Sequence, residues 1–154
     1  MGCRDEASTE LTDGEYVGYS TASSRGYVEA IVTVESDDII NVDLIEYQPE
    51  PGAAKDEDYG FDAWHEAMEL LPNSFIEANS AQVDIVSGAT STSNMAIEAV
   101  DMALQKAQGV TKFEGTYLGF SEKSERGNHG VAWVTVKDGE ITEIELKKAA
   151  EGEV

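Results

Sequence analysis

Gly115-Thr116-Tyr117-Leu118-Gly119-Phe120-Ser121 repeats Gly14-Glu15-Tyr16-Val17-Gly18-Tyr19-Ser20, and the echo continues downstream of both copies. Arg126-Gly127 matches Arg25-Gly26, Val134-Thr135-Val136 matches Val32-Thr33-Val34, and Ile141-Thr142-Glu143-Ile144-Glu145-Leu146 matches Ile39-Ile40-Asn41-Val42-Asp43-Leu44. A repeat of this kind means that one supersecondary unit is used twice, so whatever fold the first copy adopts constrains the second.

The repeated unit reads as strands. Apolar and polar residues alternate through Val28 to Val34 and again through Ile39 to Tyr47, with the polar turn Asp37-Asp38 between them, which predicts a β-hairpin or meander. Between the copies the period changes. Phe61, Trp64, Met68 and Leu71 form a helical stripe that Pro72 is expected to terminate, and Ser74 to Asn79 reads as another short helix. Gln82 to Val86 reads as a short strand, and Asn94 to Ala107 as a long amphipathic helix. The predicted class is therefore α+β: a small antiparallel sheet with two or three helices, followed by a partial repeat of the strand half.

The segment that opens the long helix is Asp84-Ile85-Val86-Ser87-Gly88-Ala89-Thr90-Ser91-Thr92-Ser93. Gly88-Ala89 keeps side-chain bulk next to Thr90 to a minimum, which suits a hydroxyl that must reach another enzyme's active site. Ser91, Thr92, Ser93 and Asn94 are all good N-cap types, and Met95, Ile97, Val100, Leu104 and Ala107 follow at near-helical spacing. A helix should start within two or three residues of Thr90, whose hydroxyl should be presented and not buried. Free amides and the positive end of a helix dipole would receive a phosphate held there. Taken alone, Ser-Gly-Ala-Thr is a plain cap as readily as a cofactor site.

Asp-x-x-Ser-Gly-Ala-Thr resembles the flavinylation signature of the FMN-binding domain found in the C subunit of the sodium-pumping NADH:quinone oxidoreductase, in the G subunit of the Rnf complex and in secreted bacterial redox lipoproteins. The opening Gly-x-Tyr-x-Gly, the Val-Thr-Val strand and the acid-alternating strand after it also resemble that family, and the likeness extends over about Leu11 to Ala107. It implies that a dedicated flavin transferase moves FMN from FAD onto Thr90 as a phosphoester. It further implies that Ser87, Gly88, Ala89 and Ser91 surround the phosphate and that Asp84 belongs to the pattern the transferase recognises. On this reading the chain is an electron-transfer module and not a substrate-turnover enzyme, with redox donor and acceptor proteins or a quinol as partners. The competing expectations are a cofactor-free cell-surface structural or binding repeat, and an enzyme regulated by flavin, such as one with a reductase domain.

The domain reading that follows is a leader over residues 1–10, an FMN-binding domain over 11–109 and a partial second repeat over 112–154, which carries no second Ser-Gly-Ala-Thr. That repeat belongs to a tandem flavin domain or packs on the first as extra strands; the first alternative is favoured. Either way an apolar face of residues 113 to 148 must find cover, from the first domain or elsewhere.

Ten basic against 31 acidic residues give a net charge of -21, which repels nucleic-acid phosphates and anionic membrane surfaces. Nucleic acid is excluded as a partner; the usual meaning of such a surface is solubility, and the sharper alternative is that it selects a basic redox partner such as a cytochrome or a positively charged mineral surface. The single cysteine, Cys3, follows Gly2 and precedes a polar, acidic leader. It resembles the mature start of a bacterial lipoprotein, which implies an extracytoplasmic, lipid-anchored protein; the alternative is an unmodified thiol. No apolar run is long enough to span a bilayer, so lipid on Cys3 would be the membrane link. His65 and His129 are far apart and lack cysteine partners, so no metal site is expected, and Asp56-Glu57-Asp58 lacks the spaced ligands of a calcium loop. Ser87, Ser91 and Ser93 do not form a nucleophile elbow. Tyr16, Tyr19, Tyr47 and Tyr59 are read as packing residues, any of which could stack on a flavin ring.

Overall fold

A computed structural model describes residues 10–48, 54–120 and 128–150. Cys3 and the Arg126-Gly127 part of the repeat lie outside the described residues. The element order is β1 (Gly14–Tyr19), β2 (Tyr27–Glu35), β3 (Asp38–Tyr47), α1 (Asp62–Ala78), α2 (Thr90–Ala107), β4 (Gly115–Phe120), β5 (Asn128–Lys137) and β6 (Glu140–Ala150). The strands form two antiparallel three-stranded sheets, β1-β2-β3 and β4-β5-β6, in agreement with the α+β expectation.

Alternation along β2 sends Val28, Ala30, Val32 and Val34 to one face, where all are buried, and Ile39 and Val42 of β3 join them. Both helices cover this face. α2 lies on β1 and β2, and α1 lies on β3. Ala67, Leu71 and Phe75 of α1 meet Ala96, Ala99, Val100 and Ala103 of α2 in one core. The small residues of α2 let it approach the sheet closely. A Cβ on Gly18 would stand 2.0 Å from the Ala99 carbonyl oxygen and 2.6 Å from the Ala103 nitrogen, so only glycine fits there.

The two copies agree in detail. A register shift at Thr33/Val34 recurs at Thr135/Val136. Positive φ at Ser36 and Asp37 recurs at Asp138 and Gly139, giving each hairpin a turn whose twist suits the strands. The Ser36 N–H donates to Asp13 Oδ1 at 2.9 Å, and the Asp138 N–H donates to Glu114 Oε2 at 2.6 Å. Tyr16 and Tyr117 donate their hydroxyls to the equivalent carbonyls of Asp13 and Glu114.

The second copy forms a sheet of its own. Its outer face meets the outer face of the first sheet: Leu118 and Val131 pack with Tyr27, flanked by Tyr47 and Trp133. The Ala22 N–H donates to the Thr116 carbonyl at 2.6 Å. The opposite face, equivalent to the one the helices cover in the first copy, borrows no cover from the first domain among the described residues. Ile141, Ile144 and Leu146 correspond to Ile39, Val42 and Leu44, and their exposures are 62%, 56% and 76%.

Three local expectations are corrected. Pro72 does not end the first helix, and Ser74 to Asn79 is not a separate one; α1 runs unbroken from Asp62 to Ala78 with Pro72 inside. Proline removes one backbone bond, to the Met68 carbonyl, but Leu71 and Phe75 on either side are fully buried, and that packing carries the helix through. The helix instead ends at Asn79, which adopts a left-handed conformation. The Asn79 side chain accepts the Ile39 N–H at 2.7 Å and so ties α1 to the β2–β3 hairpin. Gln82 to Val86 is not a strand. Its Val86 N–H donates to the Ser93 hydroxyl at 3.0 Å instead of to a neighbouring strand. Finally, none of Ser91 to Asn94 is the N-cap of α2. That position is Ala89, and the helix starts at Thr90 itself.

Candidate flavin site

The start of α2 lies at the rim of a cleft of about 610 Å³, formed by the end of β3, the segment before α1 and the loop Gly88-Ala89. Such a volume suits a ligand of cofactor size. Gly88 takes a φ of +84°, which turns the chain sharply into the helix. The first backbone bond of α2 runs from the Ser93 N–H to the Ala89 carbonyl at 2.9 Å. The amides of Thr90, Ser91 and Thr92 precede that bond, and among the described residues no side-chain cap bond is made at this helix start. They present the positive end of an 18-residue helix to the cleft.

The hydroxyls in this segment have different fates. Thr92, 6% exposed, donates to both carboxylate oxygens of Glu46 at 3.2 Å. Ser93 is fully buried and donates to the Ala89 carbonyl at 2.8 Å. Thr90 is exposed, Ser91 half-buried, and both line the cleft with Gly88 and Ala89. Ser87 and Asp84 are exposed and stand outside the lining. The structure thus gathers Gly88, Ala89, Thr90 and Ser91 of the residues singled out from the sequence, and leaves Asp84 and Ser87 exposed outside the lining.

The floor and walls come from residues the sequence reading did not assign to the site. Glu46, 1% exposed, receives the indole N–H of Trp64, the hydroxyl of Thr92 and the ammonium of Lys55, the last at 3.2 Å. Lys55 also donates its backbone N–H to the Glu46 carbonyl at 2.8 Å. Its ammonium sits 4.3 Å from the centre of the Tyr59 ring. Tyr59 in turn meets Trp64 edge-on with ring centres 5.2 Å apart. The Tyr59 carbonyl can only accept, so His65 Nε2, which bonds it, carries the hydrogen. Phe61, half exposed, and Arg25 also line the cleft, with Ser24 and Gln48.

Strand parity could have located Glu46. Val42, Leu44 and Glu46 share the face that the helices cover, so an acid at the third of these positions had to be buried and partnered. Of the four tyrosines considered as packing or stacking residues, only Tyr59 lines the cleft; Tyr47 stacks on Tyr27 with ring centres 5.0 Å apart, at the contact between the sheets.

Aromatic walls, two cations and uncapped amides beside an exposed hydroxyl are the features an aromatic phosphate ester needs. The comparisons with known proteins identify the same class. The model of the FMN-binding domain matches residues 20–105, more than half of the chain, and the chain belongs to that family. It is a flavin-binding module, and its cofactor is FMN. The fold is similar to the crystal structure of the CPE2226 protein from Clostridium perfringens, with a TM-score of 0.56 and 26% sequence identity over 64% of this chain and 90% of that one. No curated protein matches the chain. Among the described residues, no helix is long and apolar enough to cross a membrane.

Proposed function

We propose that this domain carries FMN covalently on Thr90 and works as an extracytoplasmic electron-transfer module. The observation that carries the reading is the exposed Thr90 at the first position of an uncapped helix, on the rim of an aromatic-lined cleft. In the attachment step a flavin transferase directs the Thr90 oxygen at the FMN phosphorus of FAD. A phosphoester bond forms, the pyrophosphate bond breaks, AMP leaves, and the hydroxyl proton passes to the transferase.

The chain's own residues then have separable tasks. The amides of Thr90, Ser91 and Thr92 hold the phosphodiester charge, as backbone donors at a helix start do. Gly88 and Ala89 keep the approach thin enough for the transferase, with Asp84 and Ser87 on its route. Trp64, Tyr59 and Phe61 offer apolar surface to the ring system, and Lys55 and Arg25 offset negative charge. Bound FMN supplies one- and two-electron chemistry; the protein supplies placement and electrostatics. Electrons would come from a quinol or a neighbouring flavin protein and pass to an acceptor outside the cytoplasm. The net charge of -21 favours a basic acceptor such as a cytochrome. Lipid on Cys3 would hold the module at the membrane.

Co-expression with a flavin transferase is expected to add the mass of one FMN and a fluorescence that survives denaturation, with both lost in Thr90→Val. Wild-type protein that stays unmodified while a verified family member is modified overturns the proposal.

A further inference from the structure

We propose that Lys55, fixed by the buried carboxylate of Glu46, raises the reduction potential of the flavin held in this cleft. The inference rests on the FMN reading above and adds to it a residue that governs the redox equilibrium. The ammonium is held by Glu46 at 3.2 Å and lies 4.3 Å from the centre of the Tyr59 ring, while the Lys55 backbone N–H donates to the Glu46 carbonyl at 2.8 Å. Its side chain is 11% exposed. A positive charge so fixed and so shielded from water acts far more strongly on a neighbouring charge than a solvated surface lysine does.

The setting makes this charge conspicuous. Among the described residues, Lys55 and Arg25 are the cationic side chains that line the cleft, in a chain of net charge -21, and Arg25 is exposed. When two electrons and one proton enter a neutral flavin ring system from a donor protein or from dithionite, one negative charge is added. Lys55 stabilises that added charge. Glu46 positions the ammonium and, as an anion itself, opposes part of its effect. Trp64 and Thr92 share the carboxylate with Lys55, so Glu46 stays in place when the lysine is changed.

The test is spectroelectrochemical titration of the full chain after co-expression with a flavin transferase, with FMN loading first checked by intact mass. Lys55→Gln, whose amide can still donate to Glu46, should lower the midpoint. A tenfold change in the reduction equilibrium corresponds to about 30 mV for a two-electron couple, and at least that is expected. Lys55→Arg should restore most of the loss. Glu46→Gln, which removes the opposing charge, should raise the midpoint. Opposite signs mark an electrostatic role, because loosened structure would move both variants the same way. Loaded protein whose midpoint is unchanged in Lys55→Gln, or falls in Glu46→Gln, overturns this inference alone. Should Lys55→Gln fail to fold, the sign of the Glu46→Gln shift decides. Wild-type protein that takes up no FMN overturns the functional reading and this inference with it.

Discussion

Gly18 and Gly119 stand at the same register position in the two sheets, opposite Ala30 and Ala132, yet only Gly18 lies against a helix. A Cβ on Gly18 would run into the backbone of α2 at Ala99 and Ala103, whereas one on Gly119 would meet nothing within 4 Å among the described residues. The pair isolates what helix docking asks of this strand.

Gly18→Ala is therefore expected to destabilise the domain by at least the about 1–3 kcal/mol typical of overpacking, since backbone on both sides cannot move aside as a flexible side chain would. Gly119→Ala should stay within about 0.5 kcal/mol of wild type. Urea midpoints with unchanged slopes measure both. Equal losses at the two positions would contradict the seating of α2 across Gly18.

Thr92 and Thr90, two residues apart, should separate stability from attachment. Thr92→Val removes the hydroxyl that serves Glu46 but leaves Trp64 and Lys55 on the carboxylate, so a loss of about 1–2 kcal/mol is expected, with FMN attachment retained. Thr90→Val should show the reverse: unchanged stability and no attachment, because its side chain is exposed. Denaturation curves and intact masses of the two variants, each co-expressed with a transferase, make the comparison. Loss of the FMN mass in Thr92→Val alone would place the acceptor at the wrong hydroxyl.

The strands, the repeat and α2 were legible because period-2 and period-3.6 patterns report burial directly, and here burial decides those elements. Pro72 misled because a local rule about backbone bonds was outweighed by Leu71 and Phe75, whose burial depends on a sheet distant in sequence. Gln82 to Val86 has strand composition, but its Val86 amide is taken by Ser93, a partner that local pattern cannot reveal. The loop from Ser87 to Thr90 was readable as a motif, whereas the cleft was not. Glu46, Lys55, Tyr59 and Trp64 come from three separate segments, and their convergence depends on how β3 packs against α1.

Burial, and after it the neighbouring Tyr47, holds the Tyr27 phenol well above its ordinary value of 10.0. An acid whose native pKa exceeds its unfolded one keeps a proton that the unfolded chain releases. Its contribution to stability is complete below pH 10.0 and is lost as pH rises from there toward the native value. The urea midpoint is thus expected to fall with rising pH above 10.0, and to fall less steeply in Tyr27→Phe. Some slope should remain, since burial also raises Tyr19, Tyr47 and Tyr117. An identical slope in the variant would show that Tyr27 is not the group responsible.

Pro72 offers a stabilising substitution. It interrupts the backbone bonding of α1 at the Met68 carbonyl, a defect worth about 3 kcal/mol in an exposed helix interior. Ser74 bonds the carbonyl of Leu70 at 3.2 Å, which supports the same turn without replacing the missing bond. Pro72→Ala supplies the absent N–H, at the expense of about 0.4–1 kcal/mol from a more flexible unfolded chain. With the ring's half-buried packing also lost, a net gain of about 1–2 kcal/mol is expected, seen as a melting temperature higher by about 2–8 °C. A lower melting temperature would mean that the proline ring's contacts outweigh the bond it removes.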